Sequence, residues 1–160
     1  MKTAILYYSM SGNTAYTAEK MADQLGADLI PLVPKKAFPD SGFKKFFWGG
    51  KSALMGEKPE LENDRLDLAA YDLVILGGPV WAGTFAPPLR TFIDTHREEL
   101  LSKHLAVFFC CSGGPGKVLE KFRSFLNGTQ PEQELILIDP KDKPTLDSEE
   151  KIRAFCGALL

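Results

Sequence analysis

The chain has 160 residues, a length typical of one domain rather than of a two-domain enzyme. Hydrophobic residues make up 44% and charged residues 25% of it, the composition of a globular rather than a disordered protein. Nineteen Lys and Arg residues against 21 Asp and Glu residues leave a formal net charge of −2. A charge so close to neutral gives no indication of general nucleic-acid binding.

The sequence also argues against several cellular contexts. No apolar run approaches the roughly 18 residues that a membrane helix needs, and the N-terminal apolar run predicts a strand rather than a signal peptide. Cys110, Cys111 and Cys156 are too few for a disulfide framework, and no His, Cys and carboxylate cluster has the spacing of metal ligands. We therefore expect a single cytoplasmic domain over residues 1–160, without membrane insertion and without a metal site.

Short apolar runs alternate with helical periodicity along the first half of the chain. The pattern predicts, in order, a strand over Thr3–Tyr8, a helix over Thr14–Leu25 that stops at Gly26, and strands over Leu29–Val33 and Leu73–Leu76. Pro31 marks the second strand as an edge strand, because proline cannot donate a hydrogen bond to a central ladder.

The second half continues the same alternation. A helix begins at Pro87-Pro88, a strand covers Leu105–Cys110, a helix buries Leu119, Phe122, Phe125 and Leu126, a strand covers Leu135–Ile138, and Asp147 caps the last helix. Strands that alternate with helices imply parallel β-α-β units with right-handed crossovers. We therefore predict a three-layer, doubly wound α/β fold with helices on both faces of the sheet.

The connection from Pro34 to Leu68 is long for such a fold and is rich in aromatic residues and lysines. Between Lys35 and Lys58, six lysines face two acidic residues, and Phe43, Phe46, Phe47 and Trp48 are interleaved with Lys44 and Lys45. The favoured interpretation is a crossover helix whose aromatic side chains pack on the sheet and whose lysines are solvated. The alternative is a mobile flap or a docking surface beside a functional site.

Loops rich in Gly, Ser or Pro follow the first, third and fourth predicted strands. Ligands of open parallel sheets bind at the carboxyl ends of the strands, so these three loops are expected to meet at one site. The first loop, Ser9–Thr14, opens a helix, and the unpaired N–H groups of a helix N-terminus suit a phosphate. The loop holds no Lys or Arg, which favours binding by dipoles rather than by countercharges. An ordinary Ser/Thr helix cap is the alternative.

Three familiar phosphate-binding motifs do not fit. No G-x-G-x-x-G follows the first strand, which argues against a dinucleotide site. The segment that ends in Lys117 has Cys111 where a P-loop has its first Gly, and Val118 where the Ser or Thr should stand. A cysteine-dependent phosphatase would need Arg in place of Lys117, because Arg binds phosphate through two parallel hydrogen bonds.

The loop after the third strand places Trp81 among glycines and prolines at the mouth of the sheet, where an indole offers a flat apolar surface to a planar ligand. Ser9–Thr14 resembles the phosphate loop of the flavodoxins, and Gly78–Gly83, followed by Pro87-Pro88, resembles the flavin-ring loop of flavodoxin-like FMN proteins. Cys110–Gly116 stands where their second ring loop would be. The resemblance covers nearly the whole chain, except Pro34–Asn63.

The resemblance implies a flavodoxin-like fold with a five-stranded parallel sheet in the order 2-1-3-4-5 and one non-covalent FMN. The residues that it assigns to the phosphate are Ser9, Met10, Ser11, Gly12, Asn13 and Thr14. Those that it assigns to the flavin ring are Pro79, Val80, Trp81, Ala82, Gly83, Cys111, Ser112, Gly113 and Gly114. It implies no catalytic side chain.

The resemblance implies that the protein transfers electrons through FMN to or from a redox partner protein. The chain is expected to be a monomer or a homodimer. Flavodoxins usually carry an aromatic residue in the second ring loop, where this chain has Cys and Ser. One ring face is therefore open, or is covered by Phe43, Phe47 or Trp48, or by another subunit. An open face would suit the alternative, an FMN-dependent NAD(P)H reductase of quinones or nitro compounds. A third alternative is a module that keeps the fold without the flavin.

Overall fold

The computed structural model describes residues 1–39 and 42–160, apart from the side chains of residues 42–47. The strands are β1 (Thr3–Tyr7), β2 (Asp28–Pro31), β3 (Leu73–Trp81), β4 (Thr84–Phe85), β5 (His104–Cys111) and β6 (Gln133–Ile138). The helices are α1 (Asn13–Leu25), α2 (Gly42–Leu54), α3 (Pro87–Leu101), α4 (Val118–Phe125) and α5 (Leu146–Leu159). None of the helices in the described ranges is long and apolar enough to cross a membrane.

Five strands form a parallel sheet in the order β2-β1-β3-β5-β6. Without β4, which no sequence pattern indicated, this is the predicted order 2-1-3-4-5, and the predicted doubly wound α/β fold is confirmed. β2 is an edge strand, as Pro31 indicated. The two-residue β4 pairs antiparallel with the end of β3, and Ala82 and Gly83 form the turn with φ angles of 51° and 72°. Positive φ at both turn residues matches the twist of a tight hairpin.

Strand side chains alternate between two apolar cores, one on each face of the sheet. Ile5 of β1 and Phe108 of β5 belong to the core that α1 and α5 cover. Their neighbours Leu6 and Phe109 belong to the core that α3 and α4 cover. Burial on both faces explains why the strands read as continuous apolar runs rather than as alternating patterns.

Two boundaries differ from the prediction. β3 does not end at Leu76 but continues to Trp81, so the Gly-Gly-Pro segment predicted as loop is still paired with β5. The cap of the last helix is Thr145 rather than Asp147, because the Thr145 Oγ1 accepts the Ser148 N–H at 3.0 Å. Asp147 lies in the first turn and its carboxylate is 2.8 Å from the ammonium of Lys151.

The long connection after β2 contains α2, the expected crossover helix, and a segment that returns along the sheet edge. Pro34 pairs with Leu61 in an antiparallel bridge. The Asn63 side chain accepts the Val33 N–H at 3.0 Å and donates to the Pro31 carbonyl at 2.7 Å. These bonds cover polar groups that an edge strand would otherwise expose.

The aromatic side chains of this connection are described only in part. The expected packing of Phe43, Phe46 and Phe47 on the sheet lies outside the described residues. The Trp48 side chain is 45% exposed, and Lys51 on the next turn is exposed, with its ammonium 5.1 Å from the indole centre.

Gly77 is expected to tolerate no side chain. A Cβ there would lie 2.2–2.9 Å from three ring atoms of the fully buried Phe108. Gly77→Ala should lower the free energy of unfolding by about 3 kcal/mol through overpacking, measured as a fall in the urea midpoint at unchanged m-value.

Gly157→Ala is the matched control, because Gly157 lies exposed in α5 with nothing within 4 Å of its Cβ position. Replacing a helical glycine there should raise stability by up to about 1 kcal/mol. If Gly77→Ala unfolded at the wild-type urea concentration, the close packing of β3 against Phe108 would be wrong.

Candidate functional site

The carboxyl ends of β1, β3 and β5 surround a cavity of about 440 Å³. The three strands are neighbours in the sheet, and their register pairs Tyr7 with Gly77 and Pro79 with Cys110. The loops that follow them therefore leave the sheet side by side. The wall of the cavity consists of Ser11, Asn13, Thr14, Gly50, Pro79, Val80, Trp81, Ala82, Gly83, Cys110, Cys111, Ser112, Gly113, Gly114 and Asp142.

The structure brings the predicted site residues together, with Ser9, Met10 and Gly12 as the members that do not line the wall. The Ser9 hydroxyl oxygen accepts the N–H of Ala15 at 3.1 Å, so it closes the first turn of α1. Met10 packs against the apolar core. Gly12 is the N-cap of α1 with φ 97°, a left-handed conformation that favours glycine.

The N-terminus of α1 lies at the cavity, and the first N–H groups of a helix have no partner within the helix. The helix begins at Asn13, and the Gly12 carbonyl accepts its first backbone bond from Tyr16 at 3.0 Å. Among the described residues, no acceptor contacts the backbone N–H groups of Asn13 and Thr14. Both residues are buried and line the wall. This is the donor set that a phosphate ester requires.

Trp81 forms one side of the cavity and is held by aromatic contacts. Its indole makes edge-to-face contacts with Tyr8 at 5.7 Å and with Phe38 at 5.3 Å between ring centres. Burial raises the pKa of Tyr8 to about 12, so its phenol stays neutral over the physiological range. Gly49 of α2 lies against the same indole, since a Cβ at Gly49 would be 3.3 Å from it.

The side of the cavity formed by Ser112–Gly114 is more open, and no aromatic side chain within the described part of the chain lines it. Ser112, Gly113 and Gly114 are exposed, and nothing lies within 4 Å of the Cβ positions of the two glycines. Beside this open side, the loop after β3 and the loop after β5 touch, because a Cβ on Gly116 would lie 2.7 Å from the Gly83 Cα. With φ 54° at Gly116, only glycine allows this approach without strain.

The adjacent cysteines Cys110 and Cys111 are both free and buried. Cys110 and Cys111 are neighbours in β5, so their side chains leave opposite faces of the sheet. The Cys110 sulfur lies 3.6 Å from the Thr17 hydroxyl, and the Cys111 sulfur 3.6 Å from the Leu137 carbonyl. Burial raises the pKa of Cys110 to about 12 and raises that of Cys111, so both thiols stay protonated at neutral pH. These observations favour a structural role at the strand end.

Sequence reasoning missed the contribution of the loop between β6 and α5. Asn13 donates to the Asp142 carboxylate at 3.0 Å and accepts the Lys141 N–H at 2.9 Å. Asp142 thereby lines the cavity although 129 residues separate it from Asn13. No local pattern marks it. Gly50 does carry a sequence signal, because two adjacent glycines, 49 and 50, are unusual inside a helix.

No metal centre accompanies the cavity in the described part of the chain. Residues 1–39 and 42–160 contain no group of three His, Cys, Asp or Glu side chains that could hold an ion. The donors around the cavity are backbone N–H groups, hydroxyls and one amide, which suit an organic anion and a planar ring.

A family model matches this chain. The model of the flavodoxin domain matches residues 51–137, which include both ring loops and follow the phosphate loop.

Solved structures match over most of the chain. A flavoprotein from Lactobacillus acidophilus NCFM in complex with FMN is 29% identical with a TM-score of 0.72, over 84% of this chain and 92% of that one. A protein from Bacteroides eggerthii DSM 20697 described as a flavoprotein is 21% identical with a TM-score of 0.76, over 98% and 96%. The two-electron reduced flavodoxin of Megasphaera elsdenii is 17% identical with a TM-score of 0.60, over 97% and 98%. The last two similarities support the fold alone.

The contact between α2 and Trp81 can be tested with two neighbouring glycines. Gly49→Ala places a Cβ 3.3–3.5 Å from three indole atoms of Trp81, whereas at Gly50 the nearest atom is the Ala82 Cβ at 3.8 Å. Both substitutions favour the helix by up to about 1 kcal/mol. We expect Gly50→Ala to raise the free energy of unfolding. Gly49→Ala should raise it by less and should shift the indole N–H resonance of Trp81.

The resonance is assigned in a Trp48→Phe background, because the chain has two tryptophans. An unshifted Trp81 signal in Gly49→Ala, together with equal stability gains for both variants, would contradict the packing of α2 on the indole.

Proposed function

Because this chain belongs to the flavodoxin domain family, we propose that it binds one FMN non-covalently in the cavity and transfers electrons through it. The observation that carries the proposal is the convergence of the three loops on one cavity of about 440 Å³, within the range of about 300–1,000 Å³ usual for cofactor sites. FMN supplies the redox chemistry, since its ring accepts and releases one or two electrons. The protein supplies binding, orientation and electrostatics.

The phosphate of FMN belongs at the start of α1 in this proposal. The unpaired N–H groups of Asn13 and Thr14 and the Ser11 hydroxyl on the wall are its donors. The positive end of the helix dipole favours an anion at the same place. Support comes from the burial of Asn13 and Thr14, because buried donors without an acceptor are costly until a ligand pairs with them.

The flavin ring belongs between the loop of Trp81 and the loop of Ser112–Gly114. The indole offers an apolar surface to one side of the ring. The hairpin residues Ala82 and Gly83 bring backbone groups to the wall beside it. Ala82 has φ 51°, an uncommon conformation for a residue with a Cβ, and such residues concentrate at ligand sites.

Electron transfer with a redox partner protein is the proposed activity, and an NAD(P)H-dependent reductase of quinones or nitro compounds is the second candidate. The second candidate is favoured by the open side of the cavity, where Gly113 and Gly114 face unfilled space. A ring face on that side, which none of the described side chains covers, is accessible to a hydride donor.

The FMN site is tested by titrating apoprotein into FMN. We expect the flavin fluorescence to be quenched on binding, and Ser11→Ala to weaken FMN about tenfold, because a hydrogen bond to a charged group contributes about 1.5–3 kcal/mol. Ser124→Ala, which removes an exposed hydroxyl on α4 away from the cavity wall, is the control and should bind as wild type. Unquenched FMN at high protein excess would contradict the proposal.

Stopped-flow mixing of FMN-loaded protein with NADH and with NADPH separates the two activities. For an electron carrier, we expect the flavin absorbance to persist after mixing and to bleach only when a partner reductase is added. Rapid bleaching by either nucleotide alone would show that the second candidate is the right one.

A further inference from the structure

Lys141, in the loop between β6 and α5, crosses the phosphate loop. Its Nζ lies 2.8 Å from the position that a Cβ on Gly12 would occupy, and its Cδ and Cε lie at 3.5 and 3.6 Å. Gly12 is the N-cap of α1. The ammonium is therefore held within a few ångströms of the helix start, although Lys141 follows Gly12 by more than a hundred residues.

The loop that carries Lys141 is tied to the helix start by one side chain. The Asn13 side-chain oxygen Oδ1 accepts the backbone N–H of Lys141 at 2.9 Å, and the side-chain nitrogen Nδ2 donates to the Asp142 carboxylate at 3.0 Å. Asn13 is buried. These bonds fix the Lys141 backbone beside the helix start, and its exposed side chain reaches from there across Gly12.

The exposed ammonium of Lys141 lies near a helix N-terminus without a carboxylate partner among the described residues. The N-terminus of a helix carries a partial positive charge, so a cation beside it is repelled. None of the ion pairs among the described residues includes Lys141, whereas Lys143, two residues further, lies 3.6 Å from the Asp139 carboxylate. Asp142, the carboxylate that lines the cavity, is engaged by Asn13.

We propose that Lys141 supplies the countercharge for the FMN phosphate and so makes the site select FMN over uncharged riboflavin. The inference rests on the proposed function, which places that phosphate at the start of α1. The helix N-terminus provides directed donors, and Lys141 provides the full positive charge that the phosphate loop itself lacks. A countercharge matters here because Asp142 adds a negative charge to the same wall.

The test compares the affinities of Lys141→Gln and wild-type apoprotein for FMN and for riboflavin. We expect Lys141→Gln to bind FMN about tenfold more weakly at low salt and to bind riboflavin as wild type. The difference should shrink in 1 M salt, where screening acts over about 3 Å. Lys141→Arg should keep most of the preference for FMN.

Lys143→Gln is the matched control. It removes a lysine from the same loop, and that lysine already has a carboxylate partner in Asp139. Its affinity for FMN should stay within about twofold of wild type. The melting temperature of apoprotein is a second readout. Lys141→Gln should leave it unchanged or raise it, since a cation is removed from a helix N-terminus, whereas a purely structural lysine would lower it.

Equal losses for FMN and riboflavin, or no loss for either, would overturn the role of Lys141 while leaving FMN binding intact. Wild-type protein that binds neither flavin would overturn the proposed function and this inference with it. If Lys141→Gln preferred FMN over riboflavin as strongly as wild type at every salt concentration, that result would show that the helix donors alone bind the phosphate.

Discussion

The parallel pairing of β1, β3 and β5 is the constraint on which the site depends. Parallel neighbours end at the same edge of the sheet, so the loops that leave them must share one row. Helices on both faces then carry the chain away in opposite directions and leave a crevice between the loops. The strands keep this arrangement because their apolar side chains are buried in two cores at once, and a shift by one residue would exchange the two sets.

The side-chain amide of Asn13 ties the loop at residues 141–142, near the other end of the chain, to the site. Asn13 joins the start of α1 to the loop after β6 through a donated and an accepted hydrogen bond. The accepted bond contributes about 1 kcal/mol net and the bond donated to the carboxylate about 1.5–3 kcal/mol, and together they fix the loop beside the helix start. This connection brings a carboxylate and an ammonium, from Asp142 and Lys141, to a loop whose own residues are all uncharged. The charged groups near the uncharged phosphate loop therefore come from a second, distant segment.

The crossover helix α2 contributes to the site and does more than cover the sheet. Two consecutive glycines cost a helix about 2 kcal/mol relative to alanines, and the close approach to Trp81 explains at least the first of them. Gly50 lines the cavity itself. The helix was predicted, but its contact with the flavin-ring loop was not, because a glycine pair in a sequence does not say what lies against it.

The sequence by itself determined the alternation of strands and helices, the edge position of β2 and the three loops at the strand ends. Periodicity and proline chemistry are local signals, and the family motifs are local too. Only the tertiary structure decided that β3 continues to Trp81 and turns into β4, that Thr145 caps α5, and that Lys141 and Asp142 join the phosphate loop. The continuation of β3 and the approach of Lys141 and Asp142 depend on contacts between distant segments, which leave no pattern along the chain. The β3–β4 turn and the Thr145 cap are local contacts, but Thr and Asp both cap helices, so residue type alone did not choose between Thr145 and Asp147.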